Sequence, residues 1–173
     1  MPDSIAAAVL SINTSLLQAV VQGTNEGLEM AALVPEPVGA SSVNQTRRDI
    51  SVMVGLVGQT NGTLTVNMSE SAMLFLAGKL LFEEQAEITE DSVDAICELG
   101  NMIAGRTKEA LQGSEFEVTN ISVPSLIFGA NYDVHFTRGI DSCTVEFELP
   151  DLPFAFYRDR IFTTTISLLR RVA

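Results

Sequence analysis

Two runs of alternating apolar and polar residues, joined by a connection that ends in Asn-Gly, constrain the fold of this 173-residue chain most strongly. The runs are Ile50–Val57 and Gly62–Met68, and the connection is Gln59-Thr60-Asn61-Gly62. Alternation with a period of two indicates strands, and Asn-Gly between such runs favours a hairpin. We therefore expect an antiparallel sheet that buries one face, with helices from elsewhere in the chain covering that face.

Two stretches have the apolar spacing of amphipathic helices on either side of this hairpin. The first is Ile5–Val21, and the pattern predicts that it ends at Gly23. The second follows a capping Ser69 or Asn67 and is predicted to end near Phe82.

A third helix is predicted between Thr89 and about Leu111. Thr89 is a good N-cap, Glu90 and Asp91 form an acidic first turn, and Gly113 is a typical stop signal. This helix carries the candidate functional residues.

The remaining segments are predicted to be extended. Residues 28–40 contain two prolines and a glycine, so we expect an extended connection there. Residues 154–173 have no clear period, and we interpret them as a strand followed by a tail. Short β-branched or aromatic runs predict further antiparallel strands at Glu115–Pro124, Ser125–Phe128, Tyr132–Arg138 and Ser142–Leu149. The resulting fold class is α+β, a largely antiparallel sheet with helices packed on one face.

Composition excludes several classes of protein. The chain has 22 acidic and 10 basic side chains and a net charge of −12, so nucleic acid and anionic membrane are poor partners. Two isolated cysteines and one histidine cannot build a disulfide framework or a zinc site, and we expect a reducing, cytoplasmic location. We also expect neither a signal peptide nor a membrane span. The length predicts a single domain over residues 1–173.

One face of the third helix is polar along its length. On a helical wheel Asp94, Glu98, Asn101 and Gly105 share this stripe, while the opposite arc is apolar. A plain solvated face is the ordinary explanation. Two details favour a function: Asn101 has no stabilising role in the middle of a helix, and Met102 beside it is predicted to be an exposed apolar side chain.

The spacing of these residues resembles a known family signature. Asp94, Glu98 and Asn101 follow the pattern Asp/Ser-xxx-Glu-xx-Asn, and Pro124 follows Asn101 after 22 intervening residues. The pattern is similar to that of the CheC, CheX and FliY phosphatases of bacterial chemotaxis, which dephosphorylate the response regulator CheY. The resemblance spans roughly residues 1–150. Because only one helix carries Glu-xx-Asn, the chain resembles CheX most, and residues 151–173 are a possible C-terminal extension.

The resemblance implies an enzyme in which Glu98 and Asn101 are the catalytic residues. Asn101 would hold a water in line with the aspartyl phosphate of a CheY-like receiver, and Glu98 would pair with a receiver lysine. The family has no cofactor of its own, since Mg²⁺ is supplied in the receiver's active site. The resemblance further implies a homodimer. We interpret Asp94 and Pro124 as structural and His135 as a surface residue.

Two alternatives stay open at this stage. The chain could be a non-catalytic module that binds and sequesters a receiver domain. It could also be a component of the flagellar switch, although no added switch-binding segment is evident in the sequence.

Overall fold

The computed structural model describes residues 12–42, 48–129, 139–153 and 157–169. Its helices are α1 (Thr14–Leu28), α2 (Glu70–Leu81), α3 (Glu90–Ala110) and the short α4 (Tyr157–Arg160), with a 3₁₀ turn at Glu29–Ala31. Its strands are β1 (Glu36–Ser41), β2 (Ile50–Gly58), β3 (Gly62–Met68), β4 (Val118–Ile121), β5 (Ser125–Phe128), β6 (Ile140–Glu148) and β7 (Ile161–Leu169).

The strands form one antiparallel sheet in the order β1-β6-β7-β3-β2-β4, and β5 also pairs with β2. The predicted hairpin is confirmed, since Leu56 pairs with Gly62 and the register continues to Ile50 and Met68. Strands β4 and β5 lie end to end along the outer edge of β2. The predicted α+β fold with a mostly antiparallel sheet is confirmed.

The predicted first helix is described only in part, because residues 5–11 lie outside the described residues. Helix α1 begins at Thr14, after Asn13 caps it by accepting hydrogen bonds from the backbone N–H groups of Ser15 and Leu16. It continues to Leu28, so the predicted end at Gly23 is wrong. Gly23 is buried inside α1 and lies against Thr107 of α3, where tertiary packing outweighs the weak helix propensity of glycine.

The predicted connection over residues 28–40 also needs correction. It contains the 3₁₀ turn and β1, whose residues pair with β6 at one end of the sheet. Prolines are tolerated on an edge strand because their missing N–H can face away from the ladder. The register shifts between Pro37 and Gly39, which is a further feature of edge strands.

The C-terminal segment contains an interior strand. Strand β7 lies between β3 and β6, and its residues from Ile161 to Leu168 are buried, so this part of the chain belongs to the sheet rather than to an extension. Phe162 stacks on Phe147 of β6 with ring centroids 5.3 Å apart. The predicted strand over Tyr132–Arg138, with His135, falls outside the described residues.

The two faces of the sheet differ in chemistry. The helix-covered face is apolar and includes Val52 and Val54 of β2 and Leu64 and Val66 of β3. The other face carries buried hydroxyl and amide groups that bond to each other across strands: Ser51 donates to Asn67 at 2.7 Å, and Asn67 donates to Thr163 at 3.3 Å. Pairing across strands removes the penalty for burying these polar groups.

Candidate functional site

Helix α3 is capped at its start by Thr89, as the sequence indicated, together with Ser92, which was not predicted to take part. Thr89 and Ser92 form a reciprocal capping box: the Thr89 hydroxyl accepts from the Ser92 N–H at 3.2 Å, and the Ser92 hydroxyl accepts from the Thr89 N–H at 2.8 Å. Glu90 and Asp91 follow in the first turn, where the helix dipole favours negative charge. The predicted bounds of α3 are confirmed.

Two neighbours hold α3 in a fixed orientation. On α1, Gly23 and Gly27 face Thr107 and Ile103, and their missing side chains let the two helices approach closely. On the sheet side, Gly100 lies directly against the side chain of Val52 on β2. With these contacts made, Ile96, Leu99 and Ile103 of α3 are buried in the core. The opposite side of the helix therefore faces outward.

The structure places Glu98 and Asn101 side by side on this outward face. They are three residues apart on one helix, a spacing that brings Cβ atoms to about 5–6 Å. Glu98 is exposed and Asn101 is half-buried. Within the described residues, no hydrogen bond or ion pair engages either side chain. A carboxylate and an amide are thus available together to an incoming partner.

Other residues of the polar stripe have distinct surroundings. Asp94, four residues before Glu98, is exposed. Cys97 is half-buried at the edge of the stripe, and burial, followed by the charge of Asp94, raises the pKa of its thiol. Arg106 forms an exposed ion pair with Glu109 at 2.9 Å. The expectation that Met102 is exposed is wrong, because its long flexible side chain is partly buried against the core.

The segment around Pro124 reaches the same part of the molecule through the sheet. Val52, which contacts Gly100, is paired with Leu126 of β5, two residues after Pro124. The preceding bend is fixed by Ser122, whose hydroxyl accepts from the Gly55 N–H at 2.8 Å and donates to the Val123 carbonyl at 2.9 Å. Ser122 carries no distinctive signal in the sequence, because a serine between two short strands is an ordinary loop residue.

The described cavity lies away from Glu98 and Asn101. A cavity of about 610 Å³ lies beside α2, lined by residues such as Leu74, Phe75 and Phe82, and no residue of α3 contributes to its wall. Small-molecule sites are typically concave and bury most of the ligand. Exposed Glu98 and half-buried Asn101 lie outside this cavity, on the outward face of α3.

Among the described residues, no group of three or more His, Cys, Asp or Glu side chains is placed to hold a metal ion. The described helices include none that is both long and apolar enough to cross a membrane.

Comparison with protein families decides the relationship that the spacing suggested. The family described as chemotaxis phosphatase CheX matches residues 50–148, more than half of the chain, from β2 to the end of β6. The chain belongs to the CheX family. The matched region contains the whole of α3 with Glu98 and Asn101. No curated protein matches the sequence at a significant level.

Solved structures of CheX-family members have the same fold. A CheX chemotaxis protein from Desulfovibrio desulfuricans is 25% identical with a TM-score of 0.71, covering 88% of this chain and 98% of that one. The CheX–CheY–BeF3–Mg²⁺ complex from Borrelia burgdorferi matches with 25% identity and a TM-score of 0.71, over 90% of this chain and 98% of that one.

A structure of lower sequence identity also shares the fold. FliY from Thermotoga maritima is 14% identical with a TM-score of 0.61, and the match covers 93% of this chain and 92% of that one. This likeness concerns the fold alone.

Proposed function

We propose that this chain is a phosphatase that hydrolyses the aspartyl phosphate of a CheY-like response regulator. One observation carries the proposal: Glu98 and Asn101 lie next to each other on the outward face of α3, and neither is engaged by another described side chain. The description of the CheX family as chemotaxis phosphatases supports the activity, and the CheX–CheY complex from Borrelia burgdorferi supports the partner.

The reaction requires positioning more than acid–base chemistry. A water oxygen attacks phosphorus in line with the bond to the aspartate, that bond breaks, and the carboxylate leaves with its electron pair. The amide of Asn101 has two N–H donors and a carbonyl acceptor, so it can bind a phosphoryl oxygen and the attacking water at once. Holding the water in line reduces the entropic barrier to attack.

Glu98 serves to align the two proteins. An exposed carboxylate is well placed to pair with a lysine on the receiver, which would set the register of Asn101 over the phosphoryl group. Exposed ion pairs contribute only about 0.2–1 kcal/mol, so the pair would affect orientation and association more than total affinity. Mg²⁺ would be bound by the receiver's own acidic pocket and would neutralise charge on the phosphoryl oxygens there.

The working assembly would be a cytoplasmic homodimer with two independent sites, since response regulators act inside the cell. A physical route to dimerisation is the outer edge of β1, an end strand whose Val38 is exposed. Light scattering at micromolar concentration measures the mass directly, and a monomer would contradict the dimer.

The test follows the decay of phosphorylated, Mg²⁺-bound CheY from the same organism. Wild type should accelerate the decay, and Asn101→Ala should reduce the acceleration about 10²–10³-fold, by analogy with the loss of an oxyanion-hole donor. Affinity for BeF3-activated CheY should change little in this variant. Asn120→Ala is a matched control, because Asn120 is an exposed asparagine on β4 rather than on α3.

Binding without acceleration by the wild type would reject the phosphatase and favour a sequestering module. Full activity in Asn101→Ala would leave the phosphatase but remove this residue from its mechanism.

A further inference from the structure

Glycines occur inside all three long helices, and for most of them the fold supplies a reason. A Cβ atom on Gly23 would lie 2.7 Å from the backbone nitrogen of Thr107, and one on Gly27 would lie 2.6 Å from Cγ1 of Ile103. Gly100 is pressed against Val52, and Gly78 has the carbonyl oxygen of Glu83 at 3.1 Å. A side chain at Gly23, Gly27 or Gly100 would collide with a neighbouring part of the same chain, and one at Gly78 would make a tight contact with the Glu83 carbonyl.

Gly105 is different. In the described structure, no heavy atom outside its own helix and immediate neighbours lies within 4 Å of the Cβ position, so a side chain there would meet open space. Its backbone has ordinary helical geometry, since the positive-φ glycines are Gly113, Gly129 and Gly139. A glycine in a helix interior lowers helix stability relative to alanine, because it loses more backbone entropy on folding. Neither the packing of the described residues nor the backbone conformation explains this glycine.

The position of Gly105 suggests a reason that lies outside the chain. It is four residues after Asn101 on the polar stripe, so the two occupy the same face one turn apart. The next residue, Arg106, is tied to Glu109 by an ion pair at 2.9 Å along the helix. The surface of α3 is consequently low at Gly105, meaning that no side chain rises above the helix backbone there. This position lies one turn from Asn101, which must reach a phosphoryl group in the proposed function.

A low helix surface is needed because the asparagine side chain is short. Its amide extends only two carbon atoms beyond the helix backbone, whereas the side chains of a helix form an envelope about 10–12 Å in diameter. Glu98, one turn before Asn101, is accommodated by its proposed pairing with the receiver. A bulky side chain one turn after Asn101, at position 105, would have no such partner and would hold the receiver off before the amide of Asn101 entered its pocket. Close approach of another backbone is a common use of glycine.

We propose that Gly105 is the point of closest approach between α3 and the phosphorylated receiver domain, and that the absence of a side chain there sets how deeply Asn101 enters the receiver's active site. The inference rests on the proposed function. It assigns Gly105 as a positioning residue, one that touches the partner surface rather than the reacting atoms.

The test adds bulk at this one position, with Gly105→Ala and Gly105→Leu in the full chain. Both variants should fold with a higher melting temperature, by about 2–4 °C for alanine, because helix propensity improves and nothing is displaced. Affinity for BeF3-activated CheY should fall about tenfold for alanine and more for leucine, since an added group in a close contact must be accommodated by displacement. Acceleration of CheY phosphate decay at low receiver concentration should fall at least as much.

A matched control is Gln18→Leu, which places a leucine on an exposed position of α1 away from the stripe. It should leave both affinity and turnover within twofold of the wild type. A Gly105 variant that gains stability but loses affinity for the receiver is diagnostic. Substitution of a residue needed only for folding would lower stability and affinity together.

The possible outcomes separate this inference from the phosphatase proposal. Turnover and affinity within twofold of the wild type for Gly105→Leu would overturn the contact, as would a fall in melting temperature for Gly105→Ala. If the wild type binds BeF3-activated CheY without accelerating phosphate decay, the proposed phosphatase activity is rejected. Loss of that binding in Gly105→Leu would still support the contact between Gly105 and the receiver. A wild type that neither binds nor accelerates would overturn both.

Discussion

Gly27 of α1 lies so close to Ile103 of α3 that a Cβ atom at position 27 would stand 2.6 Å from Cγ1 of the isoleucine. One turn away, Gly23 meets Thr107 in the same manner. Gly23 and Gly27 are four residues apart, and the residues they face, Thr107 and Ile103, are four apart in the opposite direction. Helices α1 and α3 therefore cross closely in antiparallel fashion. This contact holds the buried side of α3 in the core and leaves Glu98 and Asn101 facing outward.

The close crossing predicts that Gly27→Ala destabilises the protein. The new methyl group must displace Ile103, and overpacking of this kind costs about 1–3 kcal/mol. Replacing glycine by alanine in a helix gains roughly 1 kcal/mol in helix propensity. We expect the cost to exceed the gain, because the clash at this position is severe. Urea unfolding measures the difference. Gly105→Ala is the matched control, because it adds the same methyl group to a helix where space is open, and it should stabilise. Equal stabilisation by both substitutions would contradict the close packing.

The capping box predicts the effect of Thr89→Ala. Loss of the hydroxyl leaves the Ser92 N–H without its acceptor at the start of α3, which should cost about 1 kcal/mol and lower the melting temperature by roughly 2–4 °C. The site lies more than two turns further along the helix, so decay of CheY phosphate should be accelerated as by the wild type when measured well below the melting temperature. Thr89→Ser keeps the acceptor and should be nearly neutral. A stability unchanged by Thr89→Ala would show that the cap contributes nothing.

The proposed role of Glu98 predicts a salt-dependent association. Glu98→Gln should weaken binding of BeF3-activated CheY by only about two- to fivefold, as expected for an exposed ion pair, and Glu98→Lys should weaken it further by placing like charges together. The difference between Glu98→Lys and the wild type should shrink at high salt, because exposed charges are screened. Asp94→Asn is the control for general loss of negative charge on the stripe. A salt-independent defect in Glu98→Lys would argue against a charge pair.

The two cysteines are predicted to differ in reactivity. Burial raises the pKa of the Cys143 thiol to about 11, whereas Cys97 is half-buried with a smaller rise caused by burial and by Asp94. Only the thiolate reacts with alkylating agents, so native protein at pH 8 should be modified at Cys97 and not at Cys143, as mass spectrometry can show. Modification of Cys143 at the same rate would indicate that β6 is not packed as described.

The raised pKa of Cys143 also predicts a loss of stability in alkali. The folded state keeps this thiol protonated while the unfolded state ionises near its ordinary pKa of 9.0, so its contribution is fully present below pH 9 and is lost as the pH rises through about 11. Cys143→Ala lacks this contribution. Its stability should therefore fall less steeply than that of the wild type over this pH range.

The sequence by itself determined the elements whose signals are local. The hairpin depends on the short connection Gln59-Thr60-Asn61 between β2 and β3, and the start of α3 depends on Thr89 and Ser92, three residues apart. The proximity of Glu98 and Asn101 is equally local, because any helix brings residues three apart onto one face. The family spacing could be found for the same reason.

Only the tertiary structure decided features that depend on residues distant in the chain. In the sequence, Gly23 resembles the end of a helix. In the structure it lies inside α1, where the absence of a side chain leaves room for Thr107 of α3. Strand β7 shows no clear alternation because its second face is also buried, with Thr163 bonded to Asn67 from β3. Gly105 could be recognised as unexplained only once every other helical glycine had been matched to a neighbour. Packing of this kind joins residues far apart in sequence, and no pattern within a single segment encodes it.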